Sequence, residues 1–266
     1  MASLFCDTVL AARIERAEAA FMAACAGPHG FSLPVAGGTA TYAGPGSPFN
    51  KVAGLGFEGL PAFGDIERAY AAVRCPVQVE VSTLGDPEIG ALLTGRGYRL
   101  MSYENVLGRW LTDVPAFPPD VCRNAGADLQ TWLDVVVEAF LSEDTEGVAS
   151  HEHFDRAALE AAERTQAATA CRYLAWRDGV PAGGAAFRTA PGGVAQFIGA
   201  ATLPAFRRRG VQTALLAARL ADARAAGCDL AVVTTGPGTR SQRNVQRAGF
   251  QLLYTRAVLV RPAAAA

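Results

Sequence analysis

Three consecutive arginines, Arg207, Arg208 and Arg209, run into Gly210 in the stretch FRRRGVQTALL, residues 206–216. Positive charge, a residue without a side chain and a helix-forming pattern meet at one point. The chemistry they suit is anion binding. The first amides of a helix have no intrahelical acceptor. The helix dipole adds a partial positive charge there. A phosphate group fits such a terminus, and Gly210 leaves the backbone bare where an anion would touch it. The alternative is a solvated basic helix start without a ligand. The strand pattern VAQFIGAATLP (194–204) before it and the helical pattern after it argue against that.

The rest of the chain offers no comparable cluster. Its 266 residues carry a net charge of −1, so any anion site must come from local clustering. That balance speaks against nucleic acid and anionic membranes as partners. Half of the residues are apolar, enough for a substantial core. No stretch reaches membrane-spanning length, and charges at Arg13, Glu15, Arg16 and Glu18 interrupt the N-terminal segment where a secretory signal would stand. A soluble, cytoplasmic protein is expected. The six cysteines (Cys6, Cys25, Cys75, Cys122, Cys171, Cys228) are scattered without zinc spacing, which predicts buried thiols, reduced, and no metal.

Two other motifs are weaker. GLGFEG (54–59) satisfies the dinucleotide-binding glycine pattern, but Leu60-Pro61 follow where a helix should already be running. It reads as a glycine-rich strand end. His151 and His153 sit in a polar stretch, SEDTEGVASHEHF, with acids nearby. Metal binding would need further ligands, so a polar loop is the reading.

The elements that must position the arginine loop repeat along the chain. Shifted by 152 residues, PVQVEVST (76–83) falls on CDLAVVTT (228–235), and GRGYRLMSYENVLGR (95–109) falls on RAGFQLLYTRAVLVR (247–261). Each half reads helix, strand, helix, glycine, strand. Gly97 and Gly249 end the second helices, where a left-handed cap favours glycine. Prolines 115, 118 and 119 mark a linker. Two domains are expected, 1–117 and 118–266. In the second, helices DLQTWLDVVVEAFL and DRAALEAAERTQ precede two strands turning at Asp178-Gly179, then the strand that delivers the arginines. The class is mixed α/β.

ATLPAFRRRGVQTALL resembles motif A of the GNAT superfamily of acyl-CoA-dependent N-acetyltransferases, (Gln/Arg)-x-x-Gly-x-(Gly/Ala), with Arg207, Gly210 and Gln212 at the motif positions. SQRNVQRAGF resembles the following helix with its closing Gly249-Phe250. The resemblance covers about residues 120 to 262, and the first half resembles the degenerate partner of tandem GNAT proteins, lacking motif A. It implies two tandem GNAT-like domains and transfer of an acetyl (acyl) group from CoA to an amine of a small molecule or peptide. The alternative is a non-catalytic CoA-binding or interaction module of the same fold. It further implies acetyl-CoA pyrophosphate on the amides of Arg209, Gly210, Val211, Gln212 and Thr213 beside Arg207. Pantetheine would pair with the backbone of Ala201, Thr202 and Leu203, with Ser241, Asn244 and Arg247 contributing from the second helix.

Gln212 stands where the motif has a small residue; if its side chain points aside, its N–H still serves. The tyrosine that many members carry is replaced by Val245, and the glutamate of the fourth strand by Gln196. No acid or base is thereby assigned. Glu138, Glu143, Asp144, His151 and His153 are unranked; the resemblance implies, as a second reading of the loop with His151 and His153, that it lines the acceptor site, and the acceptor and oligomeric state stay open.

Overall fold

The computed structural model describes residues 4–123, 129–142, 148 and 153–263. Two compact units emerge. One comprises Met1–Val106, Ser150–Ala158 and Leu253–Ala266; the other comprises Leu107–Ala149 and Leu159–Leu252. In chain order the elements are α1 (Thr8–Cys25), β1 (Phe31–Val35), β2 (Gly38–Tyr42), β3 (Lys51–Leu55), α2 (Phe63–Ala72), β4 (Val77–Ser82), α3 (Glu88–Gly95) and β5 (Arg99–Trp110). Then follow β6 (Val121–Arg123), α4 (Leu129–Leu141), α5 (Arg156–Ala167), β7 (Cys171–Arg177), β8 (Val180–Ala190), β9 (Val194–Thr202), α6 (Val211–Ala225), β10 (Leu230–Thr235), α7 (Arg240–Arg247) and β11 (Gln251–Arg261).

The internal repeat is visible in this order: β3-α2-β4-α3-β5 and β9-α6-β10-α7-β11 are the same succession. Gly97 (φ 84°) and Gly249 (φ 87°) take the left-handed conformation after α3 and α7. The β1–β2 hairpin and the short β6 are additions that the residue pattern does not announce.

In the first unit the strand order is β1-β2-β3-β4-β11-β5. The last strand of the chain enters here: from Leu253 onward it belongs to this unit. It pairs antiparallel with β4 from Arg256↔Ser82 to Arg261↔Val77. β3 runs parallel to β4, with Val52 opposite Val79 and Leu55 opposite Val81. Val52, Leu55, Ile66, Tyr70, Val79, Ile89 and Leu93 form its core. On α1, Glu15 is fully buried and paired with the equally buried Arg256 (Nε–Oε1 2.8 Å). Tyr254 also donates to Glu15 at 2.7 Å. Glu80 accepts from Lys51 at 2.5 Å and lies 3.5 Å from Arg256. Burial raises the pKa of Glu18, against the pull of Arg256.

In the second unit the order is β5-β10-β9-β8-β7-β6. Alternation along β8 sends its side chains to two helical layers. Ala185 and Phe187 join the core under α6, with Val211, Leu215 and Ala218. Ala186 joins Trp132, Leu133 and Val136 of α4. Gly183 and Gly184 let both helices come close. A Cβ on Gly183 would stand 2.7 Å from Val211 Cγ1, and one on Gly184 2.5 Å from Val136 Cγ2. This close approach brings the start of α6 against the end of β9.

The thiols need a correction. All six are free, but only Cys25 and Cys228 are buried; Cys6 and Cys75 are half-buried, Cys122 and Cys171 exposed. The cause is position. Cys122 lies on β6, the edge strand of its unit, and Cys171 is the first residue of β7.

Candidate functional site

The site lies in the second unit, where β9 leads into α6. β9 and β10 are parallel neighbours, with Leu230 opposite Val194, Ala231 opposite Ala195 and Val232 opposite Gln196. Among the described residues the register ends there, although β9 continues to Thr202 and β10 to Thr235. The two strands part from Phe197 and Val233 onward. Along the other edge β9 stays paired with β8, through a bulge: Ile198 faces Ala186 and Ala201 faces Gly184, so Gly199 and Ala200 together oppose Ala185. Gly199 has φ 56°.

The edge turned toward the parting can be read from one hydrogen bond. Leu203 N–H donates to Ala182 O at 3.0 Å, on the β8 side. Backbone groups alternate along a strand, so Thr202 presents its N–H and C=O to the edge that β10 has left. Ala201 and Leu203, expected from the sequence to act with it, direct theirs to β8.

After Thr202 the chain makes a 3-10 turn, Pro204–Phe206. Arg207 is extended, Arg208 takes φ 63°, and Gly210 caps α6 at φ 76°, ψ 4°. Glycine is required at 210 by this left-handed backbone, not by crowding: the nearest atom to a Cβ there would be Arg177 Nη2 at 3.9 Å. The first backbone bond of α6 is Ala214 N–H to Gly210 O, 3.0 Å. The amides of Val211, Gln212 and Thr213 precede it, without intrahelical acceptors. No side chain caps them.

Gln212 turns aside. Its Nε2 donates to Thr202 Oγ1 at 2.9 Å, tying the first turn of α6 to the end of β9. The arginines fan out. Arg207 donates to the carbonyl of Ser142 at 2.6 Å. Arg209 pairs with Asp178 at 2.7 Å, on the β7–β8 turn, and its carbonyl accepts from Arg177 Nε at 3.2 Å. Arg208 is exposed and has no ion-pair partner among the described residues.

On α7, Thr239 caps the start by accepting from Gln242 N–H at 3.2 Å. Ser241 and Arg247 are exposed and Asn244 is half-buried. Val245, in the place of the family tyrosine, is buried in the α6-side core with Phe250.

Of the unranked acids and bases, Glu138 and His153 are exposed. Glu143, Asp144 and His151 lie outside the described residues. The group that sequence reasoning missed is Glu163 on α5. It is 6 % exposed, and its Oε2 has no hydrogen-bond partner among the described residues. Its neighbour is the β9 bulge: a Cβ on Gly199 would stand 3.1 Å from Glu163 Oε2, 3.5 Å from Gln166 Nε2 and 3.6 Å from Trp132 Cζ2. Burial pushes its pKa up to about 7, while a hydrogen bond from Gln166 pulls the other way. The available signal was spacing. Glu163 and Gln166 are three apart on one side of a helix, beside Ala162 and Ala167, and all four are buried. The alanine-rich pattern does not distinguish that side from a solvated one. Across the parting, Thr235 ends β10 with a buried hydroxyl that has no hydrogen-bond partner among the described residues.

Among the described residues no group of three or more His, Cys, Asp or Glu could hold a metal ion. None of their helices is long and apolar enough to cross a membrane.

The Acetyltransferase (GNAT) family model matches residues 133–250, which include the β9–α6 junction and α7. Among solved structures, a GCN5-related N-acetyltransferase from Kribbella flavida is similar over 96 % of this chain and 96 % of its own, with TM-score 0.67 and 21 % identity. A tandem GNAT protein from the clavulanic acid biosynthesis pathway is similar over 75 % of this chain and 70 % of its own, with TM-score 0.54 and 15 % identity. A GCN5-related N-acetyltransferase from Sphaerobacter thermophilus is similar over 72 % and 62 %, with TM-score 0.50 and 18 % identity. A search of curated proteins gave no match. The fold is thus of the GNAT type over nearly the whole length, and residues 133–250 match the Acetyltransferase (GNAT) family model.

Proposed function

We propose that the second unit transfers an acyl group, as a rule acetyl, from CoA to an amine of a small molecule or peptide. The observation that carries this is the parting of β9 from β10 beside a helix whose first amides are open and led by a left-handed glycine. Acetyl-CoA supplies the activated acyl group as a thioester. The chain supplies the holding groups. The amides from Arg209 to Thr213 would take the pyrophosphate. Gln212 fits this reading because its side chain is turned to Thr202, leaving its N–H in the first turn. Thr202, with its backbone on the open edge, would pair with a pantetheine amide as an added strand does. Asn244 offers both donor and acceptor from α7, and its side-chain amide has no protein partner among the described residues. Ser241 and Arg247 flank it on exposed positions.

The arginines refine the expected roles. Arg209 is partly neutralised by Asp178, and Arg207 is engaged with Ser142. Arg208, exposed, is the guanidinium most available to a phosphate at this loop.

The first unit serves as a partner that binds no CoA: residues 56–62 between β3 and α2 (GFEGLPA) contain Glu58 and no arginine. Calorimetry with acetyl-CoA tests the reading, with one site per chain expected and two contradicting it. Release of CoA thiol with a panel of primary amines separates an enzyme from a non-catalytic CoA-binding module, for which binding would occur without turnover.

A further inference from the structure

We infer that Glu163 is the proton acceptor for the incoming amine, reaching it at the β9 bulge; this rests on the acyl-transfer reading above. Three observations converge. The carboxyl is buried on α5, and its Oε2 has no hydrogen-bond partner among the described residues. That oxygen faces Gly199, where a Cβ would stand 3.1 Å away and fill the space in front of it, and where β9 has left β10. Gln166 hydrogen-bonds the carboxyl from the same helix, and Trp132 Cζ2 lines the same space in front of Gly199, with its indole N–H spent on Ala185 O at 3.3 Å. An unpartnered carboxyl oxygen in a protein interior costs free energy. Such a cost is kept where a substrate group completes the bond, and an ammonium or amine N–H is the donor that fits it.

The step balances simply. An acceptor R–NH3+ gives one proton to the Glu163 carboxylate and becomes R–NH2. The nitrogen lone pair forms the N–C bond to the acetyl carbonyl carbon, and the C–S bond breaks with its electron pair on sulfur. The thiolate takes up the second proton shed by nitrogen, and Glu163 returns its proton to solvent. The products are R–NH–acetyl, CoA thiol and one proton.

Glu163 is suited to this at neutral pH because burial holds its pKa near 7, where a base both accepts and releases a proton readily. Among the described residues no charged group is turned on it. On α5, Glu160 and Arg164 pair with each other at the surface. On α4, Asp134 and Glu138 are exposed. Gln196 is the polar side chain of β9 buried nearest the end of its register with β10, and it is neutral.

The test uses the full chain. Thiol release from acetyl-CoA is followed from about pH 5 to about pH 9, with water alone and with spermidine, tyramine and a lysine peptide as acceptors. Acetyl-CoA affinity is measured in parallel by calorimetry. E163Q keeps the shape and a hydrogen-bonding group, so folding is preserved; its rate should fall about 10²–10⁴-fold, with affinity unchanged within about twofold. The rising limb of the wild-type profile near pH 7 should vanish. Formate should restore part of the activity of E163A, which a merely structural role would not allow. Wild-type rate and an unaltered pH profile in E163Q overturn the assignment alone. Wild-type protein that binds no acetyl-CoA, or that releases no thiol with any acceptor, overturns it together with the acyl-transfer reading.

Discussion

The two units share the succession strand, helix, strand, helix (β3-α2-β4-α3 and β9-α6-β10-α7) and differ where it matters. In the first, β3 keeps its partner to the end: Leu55, its last residue, is still opposite Val81 of β4. Gly54 is pressed by α1, with a Cβ there standing 2.7 Å from Ala19 Cβ and 2.9 Å from the Glu15 carbonyl. The space beside the strands holds the buried network of Arg256, Glu15 and Glu80. In the second, β9 leaves β10 after Gln196 and runs on to Thr202 with no strand paired to that side among the described residues. One carboxyl, Glu163, stands there without a cation among the described residues. A repeated fold thus gives a closed seam filled with paired charges in one unit and an open seam beside an unpaired one in the other. Pairing completes a structure; the unfinished pairing leaves room for a ligand.

Breaking the closed seam should have the largest effect. Arg256→Met removes the guanidinium paired with Glu15 and leaves that carboxyl buried, while Glu80 keeps Lys51. Loss of one partner of a buried pair costs about 3–5 kcal/mol. Urea unfolding of the two proteins measures it, and a loss below about 1 kcal/mol would show that the Glu15 carboxyl does not depend on Arg256.

The open seam makes an opposite prediction. In the unfolded chain Glu163 gives up its proton near the ordinary value of 4.5; in the fold it holds the proton to about pH 7. Between those values the folded state binds more protons, so stability is fully present below about 4.5 and is lost as pH rises to about 7. The shift corresponds to about 3 kcal/mol. Glu163→Gln removes this dependence, so the variant should be more stable than the wild type above pH 7 and about equal below 4.5. Identical unfolding curves at pH 8 would argue that Glu163 is solvated.

Smaller effects sharpen the ligand side. Asn244→Ala should weaken acetyl-CoA binding by about 1–2 kcal/mol, the scale of a hydrogen bond whose partner is left unmade. Arg240→Ala, at the first position of α7, should change little. The reverse ranking in a titration would mean that α7 presents its other side.

Gln212→Ala should have the least effect on affinity. It removes the bond to Thr202 but keeps the amide, so stability should fall by about 1 kcal/mol and acetyl-CoA should still bind. Abolished binding would assign the side chain itself to the ligand.

Much of this was legible in the sequence because it is local. The Arg-Gly junction of a strand and a helix is dictated by residues 194 to 216, and Gly210 takes the backbone that only glycine adopts cheaply. The repeat was legible from alternation and from Gly97 and Gly249. Where β11 goes was not. β5 and β11 carry matching Val-Leu pairs (Val106-Leu107, Val258-Leu259), so either could sit beside β4 as far as pattern goes. The fold places β11 there and β5 beside β10. Tertiary pairing settles what periodicity leaves equal. Glu163 was hidden for a related reason: it meets Gly199, on a strand remote in sequence, only in the fold.

That the β9–α6 junction of the second unit holds the one CoA site is tested most directly by calorimetry of acetyl-CoA on wild type and Gly210→Glu. One site per chain is expected in the wild type, and no measurable binding in a variant that keeps its circular dichroism spectrum, since a carboxylate would stand among the open amides. Unchanged affinity in folded Gly210→Glu, or two sites in the wild type, would contradict it.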